Sequence, residues 1–74
     1  MENSEETEIL KQIIEKKIKE IKEKHEKFRV FSLCGEIEAD NYEFDIYLND
    51  VINFYSNNIF IGALVINTII AIDI

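Results

Sequence analysis

The sequence predicts a mainly β domain headed by one N-terminal α-helix, with four to five short strands closing into a small antiparallel barrel. Three observations carry this. Apolar residues recur at helical spacing only before residue 22. From Phe28 onward the apolar period shortens, and isoleucine, valine and phenylalanine dominate. A chain of 74 residues has room for one domain, so residues 1–74 are read as a single unit. A short antiparallel meander of this kind exposes fewer edges when it closes.

Residues 4–26 read as the helix. Leu10, Ile14, Ile18 and Ile21 form a stripe, widened by Ile9 and Ile13. Ser4 or Thr7 is placed to cap the start, with glutamates in the first turn. Glu15–Lys19, Glu20–Lys24 and Glu23–Lys27 are spaced for i, i+4 ion pairs. The stripe is expected to cover one open end of the barrel.

Strands are expected at 28–39, 42–51, 59–66 and 69–73. The first is read around Phe28, Val30, Ile37 and Ala39, with a turn near Cys34-Gly35 if 28–33 stands as a separate strand. Asp40-Asn41 is a turn signal. Phe44, Ile46 and Leu48 alternate with Asp45, Tyr47 and Asn49, as in a half-buried strand. Asn53 to Asn58 reads as a polar loop. Residues 59–66 and 69–72 are β-branched runs divided by Asn67-Thr68, a tight turn. A membrane anchor is the rival for 59–72. Fourteen positions interrupted by Asn67 and Thr68 fall short of the ~20 apolar residues that a spanning helix needs.

Charge is laid out in blocks. The chain carries −7 overall, from 15 acidic and 8 basic side chains. Glu2, Glu5, Glu6 and Glu8 open it; residues 11–29 hold all eight bases with four glutamates; residues 36–50 hold six acids and no base. Acid before base suits the helix dipole. Glutamates interleaved with the lysines speak against a nucleic-acid face.

One cysteine and one histidine exclude a disulfide framework and a cysteine- or histidine-built metal centre. No nucleophile–base pair, phosphate loop or metal spacing is present. The expectation is therefore no enzyme, no cofactor and no metal. Cys34 is expected to be a small strand residue and His25 a solvated residue at the helix end. With no basic n-region and apolar stretch at the start, no secretory signal is expected.

Within this pattern, residues 35–51 resemble the first motif of Sm and Sm-like proteins: Gly35, Ile37, Phe44 and Leu48 match its glycine and spaced apolar positions. Residues 61–70, with Gly62, resemble the second motif. The run from Leu10 to Ile18 resembles the leading helix of the G-type Sm protein. The resemblance implies an Sm-like fold. It also implies assembly by pairing the fourth strand of one subunit with the fifth strand of the next, which places Ile59, Ile61, Leu64, Ile66, Ile69, Ile70 and Ile72 on partner strand edges. These runs are nearly free of charge, so their edges would aggregate if left unpaired.

Departures from the motifs bear on RNA. The family's uridine pocket uses an acid and an asparagine; here Asn41 and Asp45 stand at those positions. A carboxylate cannot donate the hydrogen bond that an amide donates. The Arg-Gly pair of the second motif is missing, and Asn67 follows Ile66 directly. An arginine there would supply a planar donor fork and a stacking surface. An Sm-like fold without these positions is similar to the Gemin-type subunits of the SMN complex. That implies a scaffolding partner of other Sm-fold proteins in hetero-oligomers, acting in nucleus and cytoplasm during assembly of small nuclear ribonucleoproteins for mRNA splicing, without direct RNA binding and without a membrane. The alternative is a divergent RNA-binding ring subunit in splicing or RNA decay, with Asn41, Phe44, Asp45 and Asn67 as a degenerate base pocket. A small binder from a phage or toxin system is a third reading, compatible with the acidic surface.

Overall fold

The computed structural model describes residues 4–74. Glu2 of the first acidic block lies outside them, and so does the side chain of Ser4 with its capping role.

The helix α1 runs Ser4–Lys22, shorter at its end than the sequence suggested. Ile21 is the last residue of the buried stripe, and beyond it nothing apolar holds residues 23–26 against the strands. The chain turns off through His25 N–H to Ile21 O at 2.9 Å and Lys24 N–H to the same carbonyl at 3.1 Å. Ile14, Ile18 and Ile21 are buried, while Ile9 and Ile13 are exposed. One residue step rotates Ile13 away from the face that Ile14 buries, so the stripe is narrower than expected. Thr7 is a buried residue inside the helix and not its cap. None of the three expected i, i+4 pairs closes among the described residues. Glu8–Lys11 does, at 3.5 Å. Exposed pairs offer little free energy to hold two long side chains together.

Six strands follow: β1 Phe28–Ser32, β2 Gly35–Ala39, β3 Asn41–Phe44, β4 Val51–Ser56, β5 Ile59–Val65 and β6 Ile69–Asp73. They form two antiparallel three-stranded sheets, ordered β2-β1-β6 and β3-β4-β5. The expected closed barrel is not what forms: β5 and β6 each pair on one side only. The two sheets communicate through Asp40, the single residue between β2 and β3. Its N–H donates to Tyr55 O of β4 at 3.0 Å.

The expected first strand, 28–39, is a hairpin. Ser32 pairs with Gly35 across a two-residue turn, and Gly35 takes φ 130°, a conformation that side chains disfavour. Ser32 Oγ stabilises the turn, accepting Cys34 N–H at 3.1 Å and donating to Gly35 O at 2.9 Å. Cys34 is therefore exposed at a hairpin tip, not packed in a strand.

The expected strand 42–51 stops at Phe44. Asp45 Oδ1 accepts the N–H groups of Tyr47 and Leu48 at 2.8 and 2.9 Å. A side chain that binds its own following backbone competes with a ladder. Ile46 and Leu48 consequently face solvent, at 79 and 56 % exposure. Conversely, residues 51–56, partly read as loop, are a central strand with Ile52 and Phe54 fully buried. Its hairpin to β5 turns on Asn57 and Asn58 at φ 54° and 66°, the paired positive angles of a two-residue hairpin turn.

The expected turn at Asn67-Thr68 is a 3₁₀ turn, Ile66–Thr68 (η1). It does not join a β5–β6 hairpin; it carries the chain from one sheet to the other. The core lies between the sheets and α1, with Ile18, Phe28, Val30, Ile52, Phe54 and Ile66 as its largest enclosed side chains. Full burial of one such side chain contributes ~1.5–3 kcal/mol.

Candidate functional site

Two strand edges and one loop end hold the residues of interest. The first edge is the outer side of β5, which pairs only with β4. A register shift between Phe54 and Tyr55 bends this hairpin, and its outer half carries Ile59, Phe60 and Ile61 in succession, all exposed. The Phe60 ring meets Tyr55 edge-on at 5.9 Å. Burial and the nearby Glu43 raise the Tyr55 hydroxyl above its ordinary pKa; that hydroxyl donates to Glu43 Oε1 at 3.2 Å. Three adjacent exposed apolar side chains are unusual for a solvated strand. The sequence argument overlooked Phe60 because a strand apolar on both faces reads as one buried on both faces.

The second edge is β6, which pairs only with β1. Ile70 is 65 % exposed and Ile69 half-buried. The seven residues expected on partner edges thus divide. Ile59, Ile61 and Ile70 present side chains outward. Leu64, Ile66 and Ile72 turn theirs into the core, at 8, 2 and 9 % exposure, and Ile66 belongs to η1 rather than to either strand edge.

The four residues of the degenerate base pocket are not brought together. Asn41 stands at the Asp40 corner, and its Oδ1 accepts the N–H of Tyr42 at 2.8 Å. Phe44 and Asp45 sit at the other end of β3. The loop after them meets η1, where Ile66 N–H donates to Asp50 O at 2.7 Å, so Asn67 shares this end and Asn41 does not. Phe44 is engaged already: Tyr42 meets it edge-on at 5.5 Å, and Lys11 Nζ lies 5.4 Å from its ring centroid. Asp45 is occupied on both oxygens, Oδ2 accepting Asn53 Nδ2 at 3.2 Å. The Leu48 and Tyr47 N–H groups, then Asn53, hold its carboxyl below the ordinary value. Asp45 here organises a turn.

Among the described residues no group of three or more His, Cys, Asp or Glu is gathered as for a metal. No described helix is long and apolar enough to cross a membrane; residues 59–72 form β5, η1 and most of β6.

Compared with known protein families, curated proteins and solved structures, the chain matches none.

Proposed function

We propose that this protein is a non-catalytic scaffolding subunit of Sm-like architecture that holds other Sm-fold proteins through its strand edges. The observation that carries the proposal is the open outer edges of β5 and β6, the first of which displays Ile59, Phe60 and Ile61. Adding a partner strand satisfies the open backbone groups and covers the side chains in one step. The strand order supports an Sm-like reading. β2 and β3 follow one another through Asp40, so the two sheets β6-β1-β2 and β3-β4-β5 meet at that corner with β6 and β5 farthest from it in strand order. In its finer form the reading is a Gemin-like role in placing Sm proteins on small nuclear RNA.

The alternative, a divergent ring subunit that binds RNA, has less support: Asn41 is apart from Asp45 and Asn67, and the Asp45 carboxylate is already committed to Tyr47, Leu48 and Asn53.

The test is purification of the tagged protein from its own cells, followed by identification of co-purifying proteins and of crosslinked RNA. The expected result is stoichiometric Sm-fold partners, lost in Phe60→Asp or Ile61→Asp, with no RNA crosslinked to this chain. Uridine-rich RNA crosslinked at Phe44 would make it a ring subunit instead. Recovery of the same partners by both aspartate variants would remove the β5 edge from the reading.

A further inference from the structure

Two apolar features meet next to η1, away from the Ile59 end of β5. The first is the loop 45–50. Ile46 and Tyr47 are 79 and 87 % exposed, yet their backbone is fixed. Asp45 Oδ1 holds the N–H groups of Tyr47 and Leu48, and Asn49 Oδ1 accepts Lys11 Nζ of α1 at 3.1 Å. Apolar side chains displayed on a fixed backbone lose little freedom on docking, which favours their use as anchors.

The second is a groove of about 480 Å³ between α1 and β6, lined by Leu10, Ile13, Ile14, Lys17, Ile69 and Ile70 among others. Ile13 and Ile70 on its rim are 58 and 65 % exposed. Its single charged lining residue is Lys17, which makes no ion pair among the described residues. The loop, in contrast, carries only acids, Asp45 and Asp50. Knob and socket are thus complementary in both polarity and charge.

They are also neighbours. Ile66 lines the groove, and its N–H donates to Asp50 O of the loop. A projection and a recess that lie side by side on one surface can engage reciprocally about a two-fold axis, a closed arrangement. We propose that this end of the molecule binds a second copy of the chain, the Ile46–Leu48 loop of each copy seated in the α1–β6 groove of the other, with Asp50 facing Lys17. The contact shares Ile69 and Ile70 with the β6 edge and leaves the β5 edge free.

The test is sedimentation equilibrium of the full chain from micromolar to millimolar concentration. The net charge of −7 opposes self-association, so the salt is set at ~0.15 M, where charges are screened beyond about 8 Å. The wild type is expected at twice the chain mass. Tyr47→Asp and Ile13→Asp are each expected at the monomer mass with unchanged far-UV circular dichroism, and Ile61→Asp on the β5 edge is expected to stay dimeric. Direct seating is read in a Cys34→Ser background: mixed Tyr47→Cys and Ile13→Cys chains should form a disulfide between copies. That crosslink decides the matter should an aspartate variant fail to fold. A wild type that is monomeric throughout overturns the proposal. So does a dimer that survives both loop and groove substitutions, or one abolished by Ile61→Asp, which would place self-association on the strand edge.

Discussion

Asp40 Oδ2 accepts the backbone N–H of Asn57 at 2.9 Å, tying the corner between the two sheets to the turn that closes β4 and β5. The same residue receives Lys22 Nζ from the end of α1 on its carbonyl oxygen and donates its N–H to Tyr55. α1, β4 and the β4–β5 turn therefore meet at one residue, two of them through its backbone and one through its carboxylate. The backbone contacts would survive a substitution; the carboxylate contact would not. Asp40→Ala is expected to destabilise the fold by about 0.5–1 kcal/mol, the net worth of a hydrogen bond to an exposed turn N–H that water can also satisfy. For a domain of this size that lowers Tm by roughly 4–8 °C per kcal/mol. Asp40→Asn, which keeps an acceptor oxygen, should fall well short of that loss. Equal losses in thermal unfolding would show that the hydrogen bond is not the cause.

The turn that Asp40 holds is itself under conformational demand. Asn57 and Asn58 both take positive φ, which asparagine tolerates and glycine adopts freely. Asn58→Gly replaces the second turn residue with the type most favoured there, so the β4–β5 hairpin should be kept and stability changed by less than about 1 kcal/mol. Asn58→Val, with a β-branched side chain at φ 66°, should lower Tm clearly more. If valine were tolerated as well as glycine, the positive-φ turn would not be the conformation in solution.

The parts of this fold legible in the sequence are those set by local pattern. Ile14, Ile18 and Ile21 repeat at helical spacing, and they are the apolar residues α1 buries. The β-branched runs before and after η1 do form strands. Where pattern and environment disagreed, environment won. Ile46 and Leu48 keep step with Phe44 and read as its continuation, but a neighbouring carboxylate turned the backbone first. Ile52 and Phe54 were obscured by Asn53, Tyr55 and Ser56, because a central strand can carry polar residues on one face when the other lies on the core. The strands β5 and β6 were legible as apolar runs. Which of their side chains point outward was not, since Ile61 and Leu64 differ only in what the rest of the chain places over them.

Phe28 and Phe54 meet edge-to-face at 6.2 Å, and each is fully buried. They come from different sheets, so their contact reports on how the sheets join across the core. Phe54→Ala is expected to cost roughly 3–5 kcal/mol. Against a total of ~5–15 kcal/mol for a typical domain, this leaves a substantial unfolded population. The milder Phe54→Leu and Phe28→Leu pair is suited to a double-mutant cycle by urea unfolding, where the double variant should lose ~0.5–1.5 kcal/mol less than the sum of the two separate losses. Strict additivity would mean that the two rings are not in contact.

Asp45 provides the pH-dependent case. Its folded carboxyl lies below the ordinary value because the Leu48 and Tyr47 N–H groups and the Asn53 amide all bind the ionised form. A folded pKa below the unfolded one means that the stabilisation is fully present above the unfolded value of about 4. It is lost as pH falls through the lower, folded value. The group is solvent-exposed, so the change is expected to be local: in acid the loop 45–50 should loosen while the core persists. In an NMR titration, the amide resonances of Tyr47 and Leu48 should follow a transition centred below pH 4, and the amides of β1 should not. In Asp45→Asn that transition should vanish from both amides while the chain stays folded, because the amide side chain still accepts a hydrogen bond but no longer titrates. A transition at or above the ordinary carboxylate value would mean that Asp45 does not hold this turn.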